Sequence, residues 1–248
     1  MTGERGILAM AGWGHTAASW EPLAGVLAGE GRELQGLSLP GMEGAGAATC
    51  RLEAAAEPLG RPSGLLVGWS LGGLAAVEAV RTRAARPQGL ILIGTPARFL
   101  AGPGAPGGMD PDQLSAFRES LAEDAPATLR RFYALQFLGD RAPRQAWAPA
   151  GLRERFLATG AEPGILAAWL DVLAGTDLTA EPPELEVPTL VIHGEADRIV
   201  PPAAVDFFRG CGPLVAGHTI PGAAHAPHIS HPQATGSRIA EFARDLAG

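Results

Sequence analysis

Residues 65–80 read Leu-Leu-Val-Gly-Trp-Ser-Leu-Gly-Gly-Leu-Ala-Ala-Val-Glu-Ala-Val. The first five form a short apolar run of the kind that makes a strand buried on both faces, and the residues after Ser70 have the small, apolar character of a helix packed closely on a sheet. Where the two meet, Gly68-Trp69-Ser70-Leu71-Gly72 matches Gly-x-Ser-x-Gly. In a chain with 34 glycines the bare pentapeptide arises easily by chance. With a strand before it and a helix after it, the pattern predicts a sharp turn in which the flanking glycines let the two elements close up and Ser70 projects its hydroxyl from the end of the sheet.

Outward from this turn, short apolar runs alternate with helical segments, the signature of an α/β protein whose mostly parallel sheet is flanked by helices. Strands are predicted at Ile7–Ala11, Glu33–Ser38, Leu65–Trp69, Leu90–Gly94, Thr189–His193 and Val215–Ile220, with helices near 19–29, 50–59, 71–84, 202–209 and 232–246. The alternation stops between Thr95 and Pro188. Four amphipathic segments follow one another there, at 112–123, 126–138, 150–159 and 163–174, and they read as an inserted four-helix cap. Gly and Pro in 101–108 and 181–188 mark its hinges. The division is 1–96 and 182–248 for the core, and 97–181 for the cap.

A serine hydroxyl is a poor nucleophile until a base takes its proton, so Ser70 calls for a histidine, and the histidine for an acid that orients it. Asp197 lies in the loop after the apolar run 189–193. His225 lies after the run 215–220 and before the last helix. The chain order Ser, Asp, His is that of the α/β-hydrolase fold. Glu195 is a near neighbour able to serve in place of Asp197; Asp171 and Asp177 fall in the cap. His228 and His231 compete with His225, and their spacing of three also occurs in metal sites, but no Cys or acidic cluster stands near to complete one. His193 and His218 sit in strands, where a structural histidine is the ordinary outcome. For the oxyanion of a tetrahedral intermediate, the backbone N–H of Leu71 supplies one donor, and that of Trp13, in the Gly-rich loop after the first strand, the other.

Composition narrows the field. A net charge of −7 argues against a general nucleic-acid or anionic-membrane binder. All 19 basic residues are arginines, so Schiff-base chemistry and a P-loop lysine grip have no residue to act through. Cys50 and Cys211 make neither a metal-ligand spacing nor a redox pair. No leader pattern or membrane-spanning stretch stands out, which makes the cytoplasm the expected location.

Across most of its length the sequence resembles the carboxylesterases of biotin synthesis that cleave the methyl ester of pimeloyl-acyl carrier protein. The resemblance rests on Gly12-Trp13-Gly14 with Trp20 downstream, on 68–73, on Arg131-Phe132-Tyr133-Ala134-Leu135-Gln136, on 193–201 and on 223–232. It implies an α/β-hydrolase fold, a triad of Ser70, Asp197 and His225, and a substrate site lined by Trp13, Leu71 and the stretch Phe132, Tyr133, Ala134, Leu135 and Gln136, with Trp69 as a wall. It implies no metal or organic cofactor. It also implies an acyl carrier protein as partner, met by cap arginines for which Arg130, Arg131, Arg141 and Arg144 are the candidates. The window 128–158 holds six arginines against two acids, a basic patch on an acidic protein. Three features depart from the family pattern: Ala11 replaces a histidine, Ser38 replaces an aspartate, and an earlier strand has no counterpart before residue 7. Two other readings stay open, a general short-chain carboxylesterase without a carrier protein and a non-catalytic binding protein on the same fold.

Overall fold

The computed structural model describes residues 6–44, 48–60, 64–102, 107–142 and 152–247. Its centre is a six-stranded sheet built from β1 (Gly6–Met10), β2 (Glu33–Leu37), β3 (Leu65–Trp69), β4 (Gly89–Ile93), β5 (Thr189–Gly194) and β6 (Val215–Ile220). The strands lie in the order β2-β1-β3-β4-β5-β6, and every pairing is parallel. The burial pattern explains the sequence pattern. All residues of β3, β4 and β5 are buried, which is why those strands read as unbroken apolar runs, whereas the edge strands β2 and β6 alternate with exposed positions.

Helices flank this sheet. They are α1 (Glu21–Gly29), α2 (Leu52–Ala56), α3 (Leu71–Arg81), α8 (Ala204–Arg209), α9 (Pro227–Ser230) and α10 (Pro232–Asp245); α1 packs on α10, α2 on α3, and α8 on β5 and β6. Between β4 and β5 the described residues hold α4 (Pro111–Glu123), α5 (Ala125–Gln136), α6 (Leu152–Phe156) and α7 (Pro163–Gly175).

The strand order reverses between β1 and β3. Loops leaving the C-terminal ends of two strands at such a point diverge to opposite sides, which opens the crevice where ligands of α/β proteins bind. The loop carrying Trp13 and the turn carrying Ser70 leave from these two neighbours.

Most predicted elements fall within a residue or two of those observed, and the departures have local causes. The helix expected over 71–84 ends at Arg81, because Arg83 takes a positive φ of 59° and Ala85 N–H turns back to the Ala79 carbonyl at 2.8 Å. The segment expected as a helix over 150–159 is helical only to Phe156. Leu157 pairs with His15 in an antiparallel bridge, and Ala158 N–H donates to the Gly14 carbonyl at 2.9 Å. A backbone that pairs with the loop after β1 is extended and cannot also close helical bonds.

Ser38 shows how one departure from the family pattern is absorbed. Its hydroxyl accepts from Ala17 N–H at 2.7 Å and donates to the Glu43 carboxylate, so a Ser-Glu pair ties the end of β2 to the chain after β1.

Candidate active site

Ser70 is the one residue between β3 and α3. Its φ of 54° and ψ of −119° lie in a region that side-chain-bearing residues rarely adopt. The turn is held from several directions. Ser70 N–H donates to the Ile93 carbonyl of β4 at 2.9 Å, while its own carbonyl accepts from Gly73 and Leu74 N–H at 2.9 and 3.3 Å. Backbones converge here so closely that a Cβ at Gly68 would lie 2.4 Å from the Gly72 carbonyl oxygen, and one at Gly72 would lie 2.4 Å from that of Met10. Both positions therefore require glycine, and the sequence pattern is a record of this crowding.

Leu71 is the first residue of α3, so its N–H has no intrahelical acceptor and is aligned with the positive end of the helix dipole. Trp13 lies in the loop after β1. Its indole is buried, donates from Nε1 to the Leu166 carbonyl of α7 at 2.9 Å, and packs edge-on against Phe117 and Phe132 at 5.4 and 5.3 Å. Thr16 N–H donates to the Phe156 carbonyl at 2.8 Å. Together with the His15 to Leu157 bridge and the Ala158 to Gly14 bond, this pins the loop to the segment around α6.

Asp197 and His225 stand on the loops after β5 and β6. His225 Nδ1 lies 2.8 Å from Asp197 Oδ2, and because an ionised carboxylate only accepts, the contact selects the Nδ1–H tautomer of the ring, whose lone pair is then on Nε2. Both side chains are buried. Asp197 Oδ1 accepts from Ile199 and Val200 N–H at 2.8 and 2.9 Å. Burial alone would raise the Asp197 carboxyl, but the facing His225 and His193 rings outweigh it and hold the group well below the usual carboxylate range. Trp69, next to Ser70, donates from its indole to the His225 carbonyl at 3.1 Å, which ties the His225 backbone to the serine's own turn.

The competing acids and histidines are occupied elsewhere. Glu195 accepts from Gly222 N–H at 2.8 Å, Asp171 pairs with Arg118, and Asp177 pairs with Arg98 at 3.1 Å. His228 is fully buried between Trp20 and Trp69, with ring centroids 4.5 Å from each, and His231 lies against Ser230. Among the described residues no group of three His, Cys, Asp or Glu side chains gathers as metal ligands would.

The stretch 132–136 divides by helical geometry. Phe132, Tyr133 and Gln136 face inward, while Ala134 and Leu135 are exposed, Leu135 to 48%. Residues i, i+1 and i+4 share one face of a helix, so a five-residue motif on α5 cannot present every side chain to one site. Of the carrier-contact candidates, Arg130 is partly exposed with Glu154 at 3.9 Å, and Arg131 bonds the Thr128 hydroxyl. Arg141 packs by Gly222, and Arg144 lies outside the described residues.

Sequence reading missed two histidines. His193, expected to be merely structural, places Nε2 3.1 Å from Asp197 Oδ2 and 2.9 Å from the Val200 carbonyl. His15 donates from Nε2 to Gln136 Oε1 at 2.9 Å and meets Trp69 edge-on at 4.5 Å; burial pushes its ring down to about 3, so it is neutral. The signal for His193 was its place four residues before Asp197 at the end of a central strand; His15 had none.

A strained serine between a central strand and its helix, at the switch point of a parallel sheet with a buried Asp-His pair on later loops, defines the α/β-hydrolase class. The pattern of the Alpha/beta hydrolase family matches residues 7–237. Over 246 residues the chain is 34% identical to the pimeloyl-[acyl-carrier protein] methyl ester esterase of Edwardsiella ictaluri, spanning 97% of this chain and 94% of that one. Over 249 residues it is 33% identical to the enzyme of the same name from Serratia marcescens, with the same coverage. The chain belongs to the alpha/beta hydrolase family and, within it, to the group that these two esterases represent. Among solved structures, an esterase from Exiguobacterium antarcticum superposes with a TM-score of 0.84 at 20% identity, over 98% of this chain and 93% of that one. A bromoperoxidase from Bacillus anthracis superposes at 0.83 and 21%, over 98% and 92%, a likeness of fold alone.

Proposed function

We propose that the protein is a serine carboxylesterase that hydrolyses the methyl ester of pimeloyl-acyl carrier protein and so frees the pimeloyl carboxylate for biotin synthesis. The observation that carries the reading is the buried 2.8 Å contact between His225 and Asp197 beside the strained Ser70 turn, in a chain alike over nearly its whole length to esterases of that name.

In this reading the triad and its two oxyanion donors carry both halves of the reaction. His225 Nε2 takes the proton of Ser70 as Oγ attacks the ester carbonyl carbon. The carbonyl oxygen becomes an anion, met by the N–H groups of Trp13 and Leu71, where positive dipole is already fixed in place. Collapse expels methoxide, to which His225 returns the proton, and methanol leaves an acyl group on Ser70. His225 then takes a proton from water as it attacks the acyl carbonyl, and on collapse the bond to Ser70 Oγ breaks, His225 returns that proton to Oγ, and the freed acid departs as its carboxylate. Asp197 keeps the imidazole in its Nδ1–H tautomer throughout and stabilises the imidazolium formed in each half.

In this reading 97–181 is a cap over the core. Trp13, Phe132, Tyr133 and Gln136 shape the site between them, and Arg130, Arg131, Arg141 and Arg144 offer positive charge to an acidic carrier protein. The exposed Leu135 and Leu138 on the same stretch add an apolar contact for it. No helix among the described residues is long and apolar enough to cross a membrane, and the free thiols of Cys50 and Cys211 accord with a cytoplasmic site of action.

The test is hydrolysis of pimeloyl-acyl carrier protein methyl ester by wild type and Ser70→Ala, beside a short p-nitrophenyl ester. Efficient cleavage of the carrier-bound ester, with a loss of about 10⁶-fold in kcat for the variant, is the expected result. Cleavage of the small ester alone would make the protein a general carboxylesterase.

A further inference from the structure

The chain leaving α5 is strapped to the loop that carries His225, and one buried carboxylate makes the strap. Asp140 has a side chain with no exposure to solvent. Its Oδ2 accepts from Ala224 N–H at 2.9 Å and from the Ser230 hydroxyl at 2.7 Å, and its Oδ1 accepts from Ala142 N–H at 2.8 Å. Ala224 and Ser230 bracket His225 from either side. One oxygen thus grips both ends of the segment on which the imidazole rides, while the other fixes the turn that presents the carboxylate. Two backbone bonds run alongside: His225 N–H donates to the Gln136 carbonyl at 3.0 Å, and Arg141 N–H donates to the Gly222 carbonyl at 2.8 Å. The side chain of Gln136 reaches the opposite way, to His15 in the loop after β1.

We propose that Asp140 is a positioning residue for the reaction, holding the His225 loop in the register that the Asp197 contact and proton transfer from Ser70 require. A buried ionised carboxylate is costly unless its lone pairs are met by donors, and here each donor belongs either to the base-bearing loop or to the carboxylate's own turn. The cost of keeping Asp140 Oδ2 inside is therefore offset while the loop stays docked. If the loop drifts, Ala224 and Ser230 lose their acceptor and Oδ2 is left without its two donors, so departures from the docked geometry are opposed. The role is distinct from that of Asp197, which orients the ring; Asp140 fixes the backbone from which the ring projects.

This inference rests on His225 being the catalytic base, and the experiment separates the two claims. Steady-state hydrolysis of a short p-nitrophenyl ester is measured for wild type, Asp140→Ala, Asp140→Asn, Ser230→Ala and Ser70→Ala, at a temperature where circular dichroism shows each variant folded. A downfield proton spectrum follows the His225 Nδ1–H resonance. Asp140→Ala is expected to lower kcat by about 10- to 100-fold, the scale of a displaced catalytic group, and to broaden or abolish the Nδ1–H signal while KM stays within about 3-fold. Asp140→Asn, which keeps the shape and one acceptor oxygen, recovers part of the rate, and Ser230→Ala shows a smaller loss in kcat of the same kind. Should Asp140→Ala not fold, those two variants carry the test. Unchanged kcat and an intact resonance in the folded Asp140 and Ser230 variants, with Ser70→Ala inactive, would overturn the positioning role and leave the triad standing. Full activity in Ser70→Ala would overturn the triad, and this inference with it.

Discussion

His193 Nε2 lies 3.1 Å from the same Asp197 oxygen that His225 Nδ1 meets at 2.8 Å. Because Asp197 and the Val200 carbonyl are both acceptors, the proton of His193 must sit on Nε2, which leaves Nδ1 without a hydrogen-bond partner among the described residues. Asp197 thus receives four donors, two from backbone and two from imidazoles, and its orientation does not depend on His225. Replacing His193 by Leu removes one hydrogen bond to a charged group, worth about 1.5–3 kcal/mol. A fall of about 4- to 12-fold in kcat/KM is expected if half of that is felt in the transition state. Asp197→Asn presents the wrong tautomer to His225 and should cost about 10⁴-fold in kcat. Equal losses for the two variants would show that the acid and its second histidine act as one unit.

Ser70 carries backbone strain that glycine would not feel. A non-glycine residue in so sparsely populated a region costs of order 1–3 kcal/mol. Ser70→Gly is expected to abolish ester hydrolysis and at the same time to raise the urea midpoint, by an amount equivalent to about 1 kcal/mol once glycine's greater chain entropy is subtracted. Gly72→Ala tests the converse. Its Cβ has backbone oxygens at 2.4 and 2.5 Å that cannot yield as a side chain would, so loss of folded protein is the expected outcome on gel filtration.

Two buried histidines make stability sensitive to acid. Burial pushes His15 down to about 3, against the Gln136 bond, and drives His228 well below its ordinary value with the His15 and His225 rings adding to the effect. The unfolded chain protonates such rings near pH 6.5, whereas the folded chain does not until much lower pH, so the unfolded state binds more protons in between. Stability is therefore full above about pH 6.5 and declines by about 1.4 kcal/mol per pH unit for each ring as pH falls toward the folded value. Asp197 acts in the same direction only below about pH 4, where its unfolded counterpart takes up a proton. Urea denaturation between pH 7.5 and 5 isolates the histidines. His228→Phe, filling the slot between Trp20 and Trp69 without polar atoms, should flatten that slope by the share of one ring.

Much of this site was legible beforehand because it depends on short-range constraints that leave residue types behind. Gly68 and Gly72 record backbone crowding, Leu65–Trp69 records burial on both faces, and the loops after β5 and β6 carry the Asp197 and His225 that meet each other. What stayed hidden depends on long-range contact. Asp140 looks like a surface acid in an arginine-rich window until Ala224 and Ser230 are seen beside it. The short helix α9, from Pro227 to Ser230, is too brief for any periodicity to show. Leu157 and Ala158 read as the end of a helix, and only their partners in the loop after β1 make them extended.

Carrier recognition can be separated from chemistry. Arg130→Glu combined with Arg131→Glu reverses charge on the outer part of α5 without touching Ser70, Asp197 or His225. The proposed docking predicts a KM for the carrier-bound methyl ester at least about 10-fold higher, as expected for reversing rim charges that steer association, with the short p-nitrophenyl ester cleaved as before. Raising the salt concentration should weaken the wild type toward the variant. An unchanged KM in the variant would place the carrier protein on another face.

The bond from His225 N–H to the Gln136 carbonyl carries a lesson about modularity. Insertions between strands are commonly treated as parts that can be exchanged among relatives to change substrate range. Here the segment between β4 and β5 supplies, at the end of α5, a carbonyl acceptor to His225, the proposed base, and four residues later the Asp140 carboxylate supplies a second to that residue's neighbours. A transplanted insertion would need to bring both acceptors to the same places, which ties the evolution of selectivity in this protein to the upkeep of its reactivity.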